Sequence, residues 1–232
     1  MPCFTVQLGD VASAFQVFHS GSDVMEKLFT GVARFRREDF EAHRALFQEL
    51  GRNQKPHTLF VGCSDSRIDP NLITGSLPGE LFIIRNVANI VPPYRVTEEY
   101  VGTTSAVEYA VQELEVGSIV VCGHSNCGGC AALNRPSDQF DKIPNVRRWL
   151  EISGEVRGRV ELQMVEGTPE EREWLTEQIN ILVQMRNLLS YPYVRERYEK
   201  GTLNLFGWYY IIETGEIFNF NDQTEMFELV NG

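Results

Sequence analysis

No apolar run in these 232 residues is long enough to cross a bilayer, so a membrane-spanning helix is not expected. The first residues, Met1-Pro2-Cys3-Phe4-Thr5-Val6-Gln7, lack a basic stretch followed by an apolar one, and no secretory signal is visible. Positive charge is scarce: 21 Lys and Arg against 32 Asp and Glu give a formal net charge of −11. That sign disfavours phosphate backbones and anionic lipid, so neither nucleic acid nor membrane is an expected partner. Solubility is the simplest use of the charge. There is no internal repeat and no low-complexity tract. Cysteines are few and odd in number: Cys3, Cys63, Cys122, Cys127 and Cys130. Three of them crowd into nine residues, which does not resemble a disulfide framework. Metal binding in a reducing compartment fits better. The expected location is the cytoplasm, or an organelle stroma or matrix if a transit peptide has been removed.

What remains is an ordinary globular composition, 43% hydrophobic and 23% charged, long enough to bury a full core as one domain over 1–232. Residues 23–51 carry apolar positions at helical spacing, Val24, Leu28, Val32, Phe35 and Phe40, then Leu46 and Leu50, with Gly51 as a stop. A further stripe, Val11, Phe15 and Phe18, precedes them. We therefore expect an N-terminal helical arm over 1–52, packed on a neighbouring subunit, and a core over 53–232. A first buried strand is expected at 58–62. Asp69-Pro70 opens a short helix, with Asp69 as N-cap and Pro70 at the first helical position, and Gly75 ends it. A second strand follows at 80–85. Pro92-Pro93 makes 86–97 a loop. A helix over about 98–114 leads to a third strand at 118–122. Helices are expected near 144–155 and 169–190, then a break at Tyr191-Pro192 and a further turn closed by Gly201. Runs at 203–212 and 216–220 read as a hairpin around Thr214-Gly215. The implied fold class is α/β, a mostly parallel central sheet flanked by helices, with an antiparallel edge strand.

The chemistry concentrates in two segments, Cys63-Ser64-Asp65-Ser66-Arg67 and His124-Ser125-Asn126-Cys127. Each follows a short apolar run, which puts it at the carboxyl end of a strand, where open α/β sheets place their sites. Two thiolates, an imidazole and a carboxylate suit one zinc ion. Gly123 and Gly128-Gly129 let the backbone bend around it. Any one of these residues alone reads as a buried thiol or a strand-end cap. Four at the ends of two strands read as a site. A structural zinc would use all four, whereas a catalytic zinc keeps a position for water. Arg67, two residues from Asp65, can hold that carboxylate off the metal in a bidentate pair. Asp65 is thus either a hydrogen-bond partner or, in a closed state, a fourth ligand.

At these residues the chain resembles the β-class carbonic anhydrases. The resemblance runs from about Leu28 to Phe220 and includes Pro78-Gly79-Glu80, Arg85-Asn86-Val87-Ala88-Asn89 and Glu108-Tyr109-Ala110-Val111 besides the two segments. It implies reversible hydration of carbon dioxide to bicarbonate by attack of zinc-bound hydroxide, with one zinc per chain in a homodimer or homotetramer. It makes Cys63, His124 and Cys127 the ligands, and Asp65 and Arg67 the catalytic dyad. Gln54 becomes the pocket amide, and Phe82, Val87 and Tyr109 the apolar wall, part of it from the partner subunit. Core packing is the plainer reading of those three. One subtype of the family adds a regulatory bicarbonate site. Phe60 stands where that subtype has tryptophan, while Arg85, Tyr210 and Gly62 match it, so closure of Asp65 at low pH stays open. His19, His43 and His57 are proton carriers by residue type only. Two alternatives remain: hydrolysis of carbonyl sulfide or carbon disulfide with the same ligands, and a non-catalytic scaffold with a structural zinc. The intact Asp65–Arg67 pair argues against the scaffold.

Overall fold

The computed structural model describes residues 23–96 and 101–231, which fall into two compact units divided between Asn53 and Gln54. The first holds three helices, α1 (Asp23–Arg37), α2 (Asp39–Ala42) and α3 (Arg44–Leu50). One helical region was expected here, and the chain breaks it twice. Glu38 (φ −113°, ψ −72°) and His43 (φ −114°, ψ 21°) depart from regular helix geometry. The breaks let Phe35, Phe40 and Phe47 meet, with ring centroids 5.3 to 6.4 Å apart. α1 buries none of its residues, including Val24, Leu28, Phe29 and Val32. The stripe Val11, Phe15 and Phe18 lies outside the described residues.

The second unit is built on a six-stranded sheet in the order β2-β1-β3-β4-β5-β6. Its strands are β1 (Thr58–Cys63), β2 (Leu81–Asn86), β3 (Ser118–His124), β4 (Asn204–Tyr210), β5 (Ile217–Asn221) and β6 (Met226–Leu229). The first four are parallel, and β5 and β6 run antiparallel. The antiparallel edge therefore has two strands rather than one. β6 was not anticipated, because Met-Phe-Glu-Leu is short and has no clean alternation.

Burial on both faces explains the unbroken apolar sequences of β1 and β3. Leu59, Val61, Ile119 and Val121 pack against Val107, Val111, Ile181 and Leu188 on one side. Phe60, Val120 and Cys122 face Ile73 and Trp208 on the other. The intervening helices are α4 (Pro70–Thr74), α5 (Gly102–Glu108), α6 (Gly128–Ala132), α7 (Pro144–Leu150), α8 (Gly154–Gln163), α9 (Pro169–Leu188) and α10 (Pro192–Glu199). α4 starts as its sequence predicts: the Asp69 side chain accepts from the N–H groups of Asn71 and Leu72. It ends with Gly75 at φ 64°, a left-handed geometry suited to glycine. α5 runs on into a π turn over Tyr109–Glu113, a widening that a 3.6-residue pattern does not announce. α9 carries a Thr168–Glu171 capping box and crosses β3 and β4 closely at two glycines.

The strand order places the site. From β1 the chain crosses to β2 on one side, then returns to β3 on the other. The carboxyl ends of β1 and β3 are thus a topological switch point, where a crevice opens outside the sheet.

Candidate metal centre

Cys63 ends β1 and His124 ends β3, neighbouring parallel strands in register at Gly62 and Cys122. A tight turn with Asn126 in the left-handed region (φ 56°) then brings Cys127 back to them as the first residue before α6. The ligand atoms of Cys63, His124 and Cys127 lie within 4.8 Å of one another, and all three residues are buried. The two Sγ atoms are 3.9 Å apart. A tetrahedral zinc with Zn–S bonds of about 2.3 Å separates its sulfurs by roughly 3.8 Å, so this spacing fits the ion.

The electrostatics point the same way. His124 Nδ1 donates to the Ser125 carbonyl at 2.9 Å, which leaves Nε2 as the unprotonated nitrogen. That Nε2 is buried and has no hydrogen-bond partner. The hydrogen bond shared with Cys127, and then burial, push the Cys63 thiol up to about 12. Cys127 is pushed up further, first by its hydrogen bond with Cys130. Such thiols become thiolates against a divalent cation, and an idle buried imidazole nitrogen beside them is the third member of the same donor set.

Asp65 stands at the rim. Its Oδ2 is 4.0 Å from His124 Nε2, yet both its oxygens are engaged by Arg67, Nε to Oδ1 at 2.9 Å and Nη2 to Oδ2 at 2.7 Å. The Arg67 guanidinium holds the Asp65 carboxyl far below the usual carboxylate range. Arg67 Nη2 also donates to the Asn126 carbonyl at 2.9 Å, so one side chain ties the two segments together. Arg85 steadies them from β2, donating to the carbonyls of Cys63 (2.9 Å) and Asp65 (2.6 Å).

The expected pocket residues separate into two groups. Val87 follows β2 at its carboxyl end, beside the triad: a methyl on Gly129 of α6 would lie 3.1 Å from Val87 Cγ1. Phe82 pairs with Leu59, four residues before Cys63, so about 13 Å of strand separates it from the ligand level. Tyr109 sits with it, ring centroids 5.9 Å apart, and is 47% exposed. Gln54 is exposed and precedes β1 at that same amino end. Within one chain, Gln54 and Phe82 do not join the triad, and Tyr109 keeps company with Phe82. His57 lies at the amino end too, sharing a hydrogen bond with Thr58 Oγ1 at 2.7 Å. His43 belongs to the first unit, and His19 is outside the described residues.

Sequence reasoning missed two supports. Asn180, Gln184 and Asn187 form a buried polar ladder on α9. They hold the Val87 loop through the Ala88 carbonyl and the N–H and carbonyl of Val91, each at 2.9 Å. Glu177, also on α9, accepts from the Cys127 N–H at 2.7 Å. A polar stripe at Thr176, Asn180, Gln184 and Asn187 on one face of a long helix was the available signal, because solvated faces carry charges more often than amides.

Residues 58–217 match the carbonic anhydrase family. A carbonic anhydrase of Helicobacter pylori is 39% identical over 208 residues, covering 86% of this chain and 92% of that protein. One from Synechocystis is 43% identical over 195 residues, covering 83% and 70%. Among solved structures, the β-carbonic anhydrase CcaA superposes with a TM-score of 0.85 at 40% identity, over 89% of this chain and 99% of that one. A tetrameric β-carbonic anhydrase of Sordaria macrospora gives 0.76 at 29%, over 85% and 97%.

Proposed function

The chain belongs to the β class of the carbonic anhydrase family, and from that premise we propose that it hydrates carbon dioxide reversibly to bicarbonate with one zinc held by Cys63, His124 and Cys127. The observation that carries the assignment is the buried, unpartnered His124 Nε2 beside two sulfurs 3.9 Å apart. Zinc in that place supplies Lewis acidity and brings the pKa of water from about 16 to about 7, giving a nucleophile near neutral pH.

The chain's own groups do the rest. Asp65, kept ionised by Arg67, accepts a hydrogen bond from the attacking water and turns a lone pair toward carbon. The same pairing holds Asp65 off the metal, which disfavours a closed structural site. Val87 gives a nonpolar substrate an apolar wall. Gln54, Phe82 and Tyr109 complete the pocket from a second copy of the chain, because the strand register puts Phe82 about 13 Å from its own triad. The working unit is therefore a homodimer, alone or paired into a tetramer. The four cysteines among the described residues, all free and buried, accord with a reducing, cytoplasmic setting. No helix among the described residues is long and apolar enough to cross a membrane.

Stopped-flow hydration of carbon dioxide by wild type and Cys127→Ser tests the proposal. Fast turnover in the first and loss of both zinc and turnover in the second are expected. Turnover of carbonyl sulfide alone would replace the substrate and leave the site standing.

A further inference from the structure

α9 approaches the end of β3 more closely than side chains normally allow. A methyl on Gly123 would lie 2.7 Å from both Cδ1 and Cγ1 of Ile181. One on Gly207 of β4 would lie 3.0 Å from Ile181 Cγ2. Two glycines thus let the helix settle onto the sheet directly behind the ligand turn. The approach brings Glu177, one turn before Ile181, within reach of that turn. Its Oε1 accepts from the Cys127 N–H at 2.7 Å, and its Oε2 accepts from the Tyr209 hydroxyl at 2.6 Å. Glu177 and Tyr209 are each 2% exposed.

A buried carboxylate is costly and persists only where its oxygens are well paired. Here both partners are donors, and an acceptor-only group suits them better than an amide or a hydroxyl would. From this geometry we infer that Glu177, braced by Tyr209, is a positioning residue that fixes the Ser125–Cys127 turn so that Cys127 Sγ meets the metal. The inference rests on the zinc reading above. The Cys127 Sγ direction follows from its backbone, whose N–H is clamped on one side. On the other side the Asn126 carbonyl is clamped by Arg67 at 2.9 Å. Ser125 is fixed as well: its N–H donates to the Tyr210 carbonyl at 2.9 Å, and its Oγ accepts from the Ile212 N–H at 3.0 Å.

The test compares metal binding, not turnover, in Glu177→Gln, Glu177→Leu and Tyr209→Phe. Zinc affinity is read by competition with a chromophoric chelator, and ligand geometry by the visible spectrum of the cobalt(II) form. Removing a group that orients a ligand costs about 10–100-fold in affinity, so Glu177→Leu is expected near the top of that range with an altered cobalt spectrum. Gln can still accept from the Cys127 N–H while Tyr209 turns its proton, so Glu177→Gln should stay within about tenfold of wild type. Tyr209→Phe, which keeps the ring and the core, should weaken binding by a few-fold and shift the cobalt bands. It also keeps the test decisive should Glu177→Leu fail to fold. Wild-type protein that binds no zinc would remove the zinc reading itself. Wild-type binding with unchanged affinity and spectrum in Tyr209→Phe and Glu177→Leu, alongside a lowered melting temperature, would reduce Glu177 to a packing role and overturn the inference. Glu177→Gln as weak as Glu177→Leu would do so as well, by assigning the effect to charge rather than position.

Discussion

Gly123→Ala is a one-methyl change whose cost can be worked from distances. The added carbon would lie 2.7 Å from two carbons of Ile181, where carbon–carbon contacts normally sit at about 3.5–4.0 Å. Something must move by about 1 Å. Ile181 is fully buried and packs close to Gly207 of β4 as well, so its side chain is enclosed on both strands. The displacement passes to α9. Overpacking of this kind costs about 1–3 kcal/mol. At roughly 2–4 °C per kcal/mol for a chain of this size, the melting temperature should fall by about 2–12 °C. Ile181→Ala removes the opposing carbons, and alone costs about 2–5 kcal/mol as a cavity. Combined with Gly123→Ala it should cost less than the sum, by about 1–3 kcal/mol, because the methyl then fills space that the isoleucine left. Chemical denaturation at fixed free zinc gives all four corners of the cycle. Strict additivity, or a Gly123→Ala cost below about 0.5 kcal/mol, would refute the close approach of helix and sheet.

Three further outcomes follow from the geometry. Arg67→Gln frees Asp65 from its two-point grip, and carbon dioxide hydration by protein held at saturating zinc should drop about 10–100-fold; full activity at full zinc occupancy would deny the dyad. Co-expressed His124→Ala and Gln54→Ala chains should regain activity that neither has alone, because a mixed dimer holds one intact ligand set facing one intact Gln54. Random pairing predicts about a quarter of the wild-type rate, and no recovery would mean that each pocket forms within one chain. Glu155, paired with Arg186 and Arg159, has its carboxyl drawn down from 4.5 to about 2. Its contribution is thus complete above pH 4.5 and lost as pH falls toward 2, so wild type and Glu155→Gln should differ in stability at pH 6 and converge near pH 2. Exposure limits the difference to under about 1 kcal/mol, and a gap that widens on acidification would reverse the sign.

Residues with strong local reasons were legible before the structure. Asp69, Pro70 and Gly75 announced α4, and the short apolar runs of β1 and β3 announced buried parallel strands. The triad was legible because its members follow those runs directly. The breaks at Glu38 and His43 were not, since the apolar spacing continues through both, and the meeting of Phe35, Phe40 and Phe47 across them shows only in three dimensions. The π turn at Tyr109–Glu113 hid for a similar reason. Glu177 was hidden by its neighbours: after Glu170, Glu171 and Glu173 it looks like one more charge on a solvated face. Only the approach of α9 to Gly123 puts it indoors. That Phe82 lies toward the opposite end of the sheet from Cys63 needed the register of β1 against β2, which no single strand discloses.

Metal-free protein titrated with zinc, with the carbon dioxide hydration rate read after each addition, tests the central claim most directly. The rate should rise in proportion to bound zinc and level off at about one ion per chain, the capacity of the Cys63, His124 and Cys127 set. Turnover without zinc, or a chain filled with one zinc that turns over nothing, would contradict it.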